Sequence, residues 1–126
     1  MRKGLKADER IPFGELFFDK QYGRQLSPVN ADDFAGALEM ARLAPSAANK
    51  QPWRAVVDHD RVHFYEEKTM KDSQLGDIQK VDVGIALSHF DLTMKEENHK
   101  GSFFEEDPKL ETPENVHYII SYARTE

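Results

Sequence analysis

The first strong hydrophobic pattern along the chain predicts an amphipathic helix over residues 30–43. Its apolar side chains recur at helical intervals, at Phe34, Ala37, Leu38 and Ala41. We expect Asn30 to be the N-cap, and Val29 and Phe34 to form a hydrophobic staple across the helix start. The helix should end near Leu43, because the residue before Pro45 is pushed out of the helical region.

A second pattern predicts a long helix over residues 78–98 that is apolar on two sides. One side is formed by Val81, Ile85 and Leu92, and the other by Val83, Leu87, Phe90 and Met94. A helix with two apolar sides is usually buried between two layers. Gly84 and Ser88 would let another backbone approach it closely. Because 126 residues provide few other elements to cover both sides, we expect a homodimer with this helix at or near the interface.

Alternating and β-branched residues predict three strands. Residues 54–58 and 61–66 should form a hairpin with a turn at 59–60, and residues 117–124 should form the last strand. Other segments have their own predictions: residues 1–10 frayed, 13–19 a short helix, 21–26 a turn around Gly23, 67–76 a polar connection and 101–113 an irregular loop. The order of helix, hairpin, buried helix and strand predicts an α+β fold, in one domain over residues 1–126.

Composition excludes several classes of function. The net charge of −6 argues against a nucleic-acid binder, which would carry a basic stripe. The absence of cysteine excludes disulfides and thiolate metal sites, and the histidines show no metal-ligand spacing, so we expect no metal. Residues 1–10 lack the apolar stretch of a secretory signal, and residues 81–94 are too interrupted by charge to span a membrane. We therefore expect a cytoplasmic protein.

One segment carries a specific motif, Arg42 to Trp53, with the sequence RLAPSAANKQPW. Ala-Pro-Ser stands at the end of the first helix, and Asn-x-Gln-Pro-Trp leads into the first hairpin strand. This arrangement resembles the signature of flavin-dependent nitroreductases. Residues 82–90, DVGIALSHF, resemble the central helix of one subgroup of that family, typified by a thermophile protein. From about Leu16 to Arg124 the chain is similar to the C-terminal part of that subgroup.

The resemblance implies a fold, a cofactor and a reaction. The fold would be nitroreductase-like, an antiparallel-rich sheet with a buried central helix, in a half-length version. FMN would take a hydride from NAD(P)H and pass reducing equivalents to a nitro or quinone-like acceptor in the active site of a homodimer. Because the cofactor carries the chemistry in such enzymes, no catalytic side chain is assigned.

The resemblance also implies that the motif segment faces a flavin ring bound mainly by the other subunit. The implied contacts are Pro45, Ser46, Ala47, Asn49 and Gln51. Pro45 and Ala47 could lie flat against the ring, and the polar side chains can donate and accept hydrogen bonds. In the alternative interpretation, Ser46 and Asn49 merely cap backbone groups at the end of the helix. Trp53 is expected to lie mostly in the core.

A further pair of contacts is implied at Lys100 and Gly101, where family members have a loop that reaches the flavin. Gly101 would permit close backbone approach, and Lys100 would offer a cation. The alternative is a helix C-cap, with Gly101 as terminator and Lys100 favoured by the helix dipole. His89, on the long helix, fits a packed, hydrogen-bonded residue better than a catalyst.

The chain departs from the family in one respect. Family members usually open with an Arg-Ser-x-Arg segment that grips the flavin phosphate, and this pattern is absent here. The cations Arg2, Lys3 and Arg24 do not stand in it. Three hypotheses remain open: an enzyme with a weak phosphate grip, a non-catalytic half-domain that keeps the fold and interface, and a fragment whose phosphate site lies elsewhere.

Overall fold

A computed structural model of the chain describes residues 9–71 and 76–125. The helices and strands follow one another as α1 (Phe13–Leu16), β1 (Phe17–Asp19), α2 (Pro28–Ala31), α3 (Ala35–Arg42), β2 (Trp53–Asp58), β3 (Arg61–Glu67), α4 (Ile78–Glu96), β4 (Gly101–Phe104) and β5 (Val116–Arg124). Two 3-10 turns, Asp32–Phe34 and Ala47–Asn49, stand before and after α3. These elements confirm the predicted α+β fold. The hairpin of β2 and β3, the long helix α4 and the last strand β5 lie where the sequence predicted them, within one or two residues at their ends.

The strands form one sheet in the order β1-β2-β3-β5-β4. Antiparallel pairs join β2 to β3, β3 to β5 and β4 to β5, while β1 and β2 are parallel. A bulge between Phe64 and Tyr65 shifts the register of β3 against β5. The sheet is therefore antiparallel-rich, as the resemblance implied.

The main core lies between one face of the sheet and the helices α3 and α4. The inner side of α4 contributes Val83, Phe90 and Met94, which have no exposed surface. The ring of Phe90 contacts those of Phe64 and Tyr122 edge to face, with centroids 5.0 and 5.2 Å apart. Such pairs add about 0.5–1.5 kcal/mol each beyond the area they bury. The predicted buried central helix is therefore confirmed on this side.

The other face of the sheet carries a smaller cluster covered by irregular chain. Its buried members are Phe18, Val56, Tyr65 and Val116, with Tyr22, Leu110 and Tyr118 packed against them. A polar chain runs beside the cluster: His63 Nδ1 lies 2.6 Å from Ser121 Oγ, which lies 2.7 Å from the Tyr118 hydroxyl. Burial is the largest cause of the lowered pKa of His63. This face is thus closed by the chain's own residues.

Residues 13–19 are not one helix, as the sequence predicted. The helix α1 has only four residues, and Phe17–Asp19 continue as a strand. Phe17 and Phe18 point to opposite faces of the sheet, where both are buried. Extended backbone buries both rings at once and pairs with β2, which outweighs the local helical pattern.

The predicted start of the first long helix is also wrong. Ser27, rather than Asn30, is the N-cap: its hydroxyl accepts the Asn30 N–H at 3.3 Å, and Pro28 takes the first helical position. Val29 is 86% exposed, so it cannot form a staple with Phe34. The helix is interrupted at Asp32, whose φ is 54°, and α3 begins only at Ala35.

The prediction of an irregular loop over 101–113 is wrong in its first part. Gly101–Phe104 form the edge strand β4, paired with β5. The strand forms because Phe103 packs its ring on Tyr122, with centroids 5.2 Å apart. Residues 1–8 and 72–75 of the predicted frayed terminus and polar connection lie outside the described residues. No helix within residues 9–71 and 76–125 is long and apolar enough to cross a membrane.

Candidate functional site

The motif loop, residues 43–52, connects the end of α3 to β2 in a strained conformation. Ala48, Asn49 and Gln51 have φ values of 51°, 52° and 50°. Left-handed backbone costs roughly 1–2 kcal/mol for each non-glycine residue. The surrounding contacts must offset that cost, and strain of this kind is common at functional sites.

Two backbone N–H groups of the motif loop donate to side chains, in addition to the backbone bonds within its turn. The Gln51 N–H donates to Ser46 Oγ at 2.9 Å. The Ala47 N–H donates to Asp82 Oδ2 at 3.0 Å, which ties the loop to the second turn of α4. Asp82 is buried, so this bond is shielded from water. The loop and the start of α4 therefore form one unit.

The two amide side chains of the motif loop turn inward and hold a strap formed by residues 9–11. Gln51 is fully buried, and its Oε1 accepts the Ile11 N–H at 2.8 Å. Its Nε2 donates to Asn49 Oδ1 at 3.1 Å and to the Glu9 carbonyl at 3.3 Å. Asn49 Nδ2 donates to the same Glu9 carbonyl at 2.8 Å. The amides thus fix the strap across the loop.

Two arginines complete the attachment of the strap. Arg42 donates to both Glu39 carboxylate oxygens, at 2.8 and 2.9 Å, and to the Ile11 carbonyl at 3.1 Å. The hydrogen bond to Glu39 is the main cause of the raised pKa of Arg42. Arg10 donates to the Leu43 carbonyl at 3.3 Å, at the end of α3. The structure therefore places a cation beside the loop that the sequence analysis did not consider.

The implied cofactor contacts in the motif loop differ in how accessible they are. Pro45 is exposed, and Ser46 and Ala47 are half-buried. The Ser46 hydroxyl accepts one bond and keeps an O–H that can donate. Gln51 is enclosed, so its side chain has no accessible surface for a ligand in this conformation. We call residues 45–47 the outer edge of the motif loop; they are accessible to a ligand, as are the exposed residues Ala48 and Lys50.

Lys100 and Gly101 lie away from the motif loop. They follow the end of α4, whereas Asp82 contacts the loop near its start, and a helix of 19 residues is about 28 Å long. A Cβ on Gly101 would collide with the Ala123 carbonyl oxygen and the Tyr122 ring. The close approach that glycine permits here is therefore to β5. One chain does not bring the two sets of implied contacts together.

A buried acidic group lies where the motif loop enters the sheet. Glu66 is 2% exposed and is the cross-strand partner of Trp53, the last motif residue. Burial, and then a hydrogen bond with Asp77, raise the pKa of Glu66 to about 7. Trp53 is buried as predicted. No sequence motif marked Glu66, although it stands in phase with the core residues Val62 and Phe64 of the same strand.

The side of α4 that faces away from the sheet is apolar and open. Its exposed residues, Ile78, Val81, Ile85 and Leu92, are 43%, 63%, 36% and 61% exposed. We call these four residues the outer face of α4. Gly84 lies among them, and a Cβ added there would meet no group of the described residues within 4 Å. The second apolar side predicted from the sequence therefore exists and is not covered by the described part of the chain.

Metal and acid–base chemistry find little support around these features. Within residues 9–71 and 76–125, no three His, Asp or Glu side chains come close enough to hold a metal ion. His89 is half-buried on α4, and its backbone carbonyl accepts the Thr93 hydroxyl at 2.8 Å.

Comparison with known proteins places the fold. Residues 8–94 match the family described as "Putative TM nitroreductase". A putative nitroreductase from Thermotoga maritima has a similar structure, with a TM-score of 0.56 and 23% identity over 98% of this chain and 44% of that one. A nitroreductase family protein from Clostridium difficile gives a TM-score of 0.64 and 16% identity over 88% of this chain and 79% of that one. The chain thus spans less than half of the Thermotoga protein, and no curated protein matches it by sequence.

Proposed function

Because the chain belongs to the family of putative TM nitroreductases, to which it matches over residues 8–94, we propose that it is an FMN-dependent oxidoreductase. The flavin would accept a hydride from NADH or NADPH and deliver reducing equivalents to a nitro or quinone-like acceptor. The protein's part is to bind the flavin, orient it and control access to it.

The observation that carries this proposal is the position of the outer edge of the motif loop beside the outer face of α4. The bond from the Ala47 N–H to Asp82 ties the loop to the second turn of α4, where the preceding residue, Val81, belongs to the outer face. Pro45 and Ala47 offer apolar contact, and the Ser46 hydroxyl offers a donor for a ring carbonyl. An aromatic ring edge with alternating carbonyl and N–H groups suits these uncharged partners. The residues present therefore fit the ring end of FMN.

A second copy of the chain is part of the proposal. The outer face of α4 exposes four large apolar side chains on one helix. A contiguous apolar surface of this kind marks an interaction site in a water-soluble domain. A homodimer through this face would cover it and bring the motif loop of one subunit against the other. A flat slot between two subunits would then receive the ring.

The phosphate end of FMN has weaker support. Arg10 lies at the loop, but its guanidinium already donates to the Leu43 and Glu9 carbonyls. Arg24 is exposed on a turn before α2, and Arg2 and Lys3 lie outside the described residues. Each charge-assisted hydrogen bond to a phosphate contributes roughly 1.5–3 kcal/mol. We therefore expect weak FMN binding in which the ring contributes most of the affinity.

One observation favours a second candidate, a non-catalytic protein that keeps the fold and the dimer interface. The amides of Asn49 and Gln51, which the resemblance would direct at the flavin, are bonded to the strap and to each other. If those bonds persist in solution, the loop offers a ligand little beyond its outer edge. Such a protein would bind flavin very weakly or not at all.

A titration with FMN and with riboflavin, which lacks the phosphate, distinguishes these outcomes. We expect both to bind with similar affinities at low and high salt, because ring contacts are not screened by ions. Much tighter, salt-sensitive binding of FMN would reveal a phosphate site and overturn the ring-only part of the proposal. If a folded dimer binds neither ligand, the enzyme proposal fails and the non-catalytic candidate stands.

The oxidoreductase activity has its own test. The protein loaded with FMN should oxidise NADH or NADPH in the presence of a quinone or a nitroaromatic acceptor. The reaction is measured as the loss of the absorbance of the reduced nicotinamide. The rate should exceed that of the same concentration of FMN without protein. Equal rates with and without protein would contradict the enzymatic role even if flavin binds.

A further inference from the structure

Glu66 lies at the point where three parts of the molecule meet. It pairs across the strands with Trp53, the residue that ends the motif. The next residue, Glu67, donates its backbone N–H to the Pro52 carbonyl at 2.7 Å. On its other side Glu66 contacts Asp77, the residue that caps the start of α4. A change in the charge or position of Glu66 therefore acts on both the motif loop and the start of α4.

The surroundings of Glu66 suit a protonated carboxyl group. Its Oε2 is completely enclosed, and no N–H or O–H group of the described residues donates to it. An ionised carboxylate without donors is costly to bury. Asp77, in contrast, accepts the Lys80 N–H at 3.1 Å and lies 3.6 Å from Lys68 Nζ. A carboxylate is therefore well supported at Asp77 and poorly supported at Glu66.

We propose that Glu66 and Asp77 share one proton, held on Glu66, and that this proton clamps the start of α4 against the motif end of the sheet. The protonated Glu66 donates to the Asp77 carboxylate. The same carboxylate caps the first turn of α4. Loss of the proton would place two negative charges side by side, one of them buried, and would push the start of α4 away from β3.

The titration of the two acids agrees with this arrangement. Burial, then the hydrogen bond and the negative charge of Asp77, raise the pKa of Glu66 to about 7, while Lys68 and Lys80 act in the opposite direction. Burial also raises the pKa of Asp77, but the bonds from Glu66 and from the Lys80 N–H outweigh it and leave that pKa lowered. Among the described residues, Lys68 and Lys80 are the charged side chains that act on the pair.

The sign of the pH effect follows from the raised pKa of Glu66. A carboxyl whose pKa is higher in the folded chain than its ordinary 4.5 binds protons more tightly when folded. Its contribution to stability is complete below the ordinary value and is lost as the pH rises through about 7. The clamp is therefore closed in mild acid and opens in mild alkali.

Opening of the clamp would also reach the motif loop. Asp82, which holds the Ala47 N–H, lies one turn beyond the capped start of α4. A loosened first turn would weaken that bond and the position of the loop's outer edge. The expectation that FMN affinity falls above pH 7 rests on the proposed function. The clamp itself does not.

Trp53 makes the clamp measurable without any ligand. It is the chain's only tryptophan, and it stands directly opposite Glu66. We expect its fluorescence emission to change with a midpoint near pH 7, and the thermal unfolding temperature to fall by at least about 5 °C across the same transition. In Glu66→Gln, whose amide can still donate to Asp77 but cannot titrate, both changes should disappear.

Two further variants separate the clamp from other titrations. Glu96→Gln removes an exposed carboxylate at the far end of α4 and should leave the wild-type profile unchanged. Asp77→Asn keeps a capping side chain and removes the neighbouring charge, so the midpoint should move to lower pH. A wild-type profile that is flat from about pH 5.5 to 8.5, or a transition that persists in Glu66→Gln, would overturn the proposal.

The flavin measurements separate the two proposals. If FMN binds, its affinity should drop several-fold between about pH 6 and 8 in the wild type and stay constant in Glu66→Gln. If the ligand-free transition is present and FMN does not bind at either pH, the clamp stands and the proposed function fails. If FMN binds and no ligand-free transition occurs, the proposed function stands and the clamp fails.

Discussion

The motif loop and the outer face of α4 are neighbours, but they differ in whether their side chains have partners within the chain. In the loop, the polar side chains of Ser46, Asn49 and Gln51 each bond to another part of the same chain. On the outer face of α4, large apolar side chains are left in contact with solvent. The polar groups of the loop have hydrogen-bond partners within the chain. The apolar side chains on α4 are not covered by the described residues.

This difference separates what the motif does for folding from what it leaves for recognition. The inward amides offset the strain of three left-handed residues and hold the strap in place. The outer edge of the loop keeps accessible surface for a ligand. In the proposed dimer, the apolar face of α4 beside it would supply the other half of the slot.

The largest effect is expected at Gln51, whose buried side chain bonds the motif loop to the strap. Gln51→Leu keeps the side-chain bulk but removes four hydrogen bonds, and it leaves the Ile11 N–H buried with no acceptor. We expect the free energy of unfolding to fall by about 2–4 kcal/mol in urea denaturation. Lys50→Ala, at an exposed neighbour, should change it by less than about 0.5 kcal/mol. A loss below about 1 kcal/mol in Gln51→Leu would show that the loop does not depend on its inward amides.

The next largest effect is expected on the outer face of α4. Val81→Glu places a charge in the middle of the outer face of α4 and should weaken the dimer at least about tenfold, because a buried charge without a partner is costly. Sedimentation at tens of micromolar should then show a monomer with an unchanged fold. Val29→Glu, which changes an exposed valine on α2, should stay dimeric. A wild-type monomer at the same concentration would remove the dimer from the account.

The smallest effect is expected at Asn49, whose side chain is bonded within the motif loop and to the strap. Asn49→Ala removes the bond to the Glu9 carbonyl, so the outer edge of the motif loop would be held less firmly. We therefore expect FMN affinity to fall several-fold, equivalent to about 0.5–1.5 kcal/mol, with the fold largely intact. Isothermal titration together with a urea melt measures both quantities. If instead the protein unfolds more easily and the folded fraction binds FMN as before, Asn49 serves only the strap that it contacts at 2.8 Å.

The parts of the fold that the sequence predicted well are those set by local spacing. The hairpin of β2 and β3 and the helix α4 follow from patterns within each segment. The strand β1 could not be found in this way, because its partner in β2 lies 38 residues away, at Phe17 and Ala55. The edge strand β4 depends likewise on packing between Phe103 and Tyr122.

In the candidate site, too, some features were visible in the sequence and others depend on contacts between distant residues. The motif is visible in the sequence, but the inward direction of its amides depends on the strap, 40 residues earlier in the chain. Nothing near Arg10 indicates that it lies beside Leu43. Glu66 could have been noticed, because it continues the alternation of core-facing residues along β3 with an acid. A charged residue in a core phase is a signal that local analysis can detect.

We propose that the flavin slot forms across two subunits, with the outer edge of the motif loop at one side. The most direct measurement compares FMN binding, by quenching of flavin fluorescence, to the wild-type dimer and to the monomeric Val81→Glu variant at the same protein concentration. Val81 lies on the outer face of α4 and outside the motif loop. We expect the dimer to bind FMN and the folded monomer to bind it at least about tenfold more weakly. Equal binding by both forms, or no binding by the dimer, would contradict it.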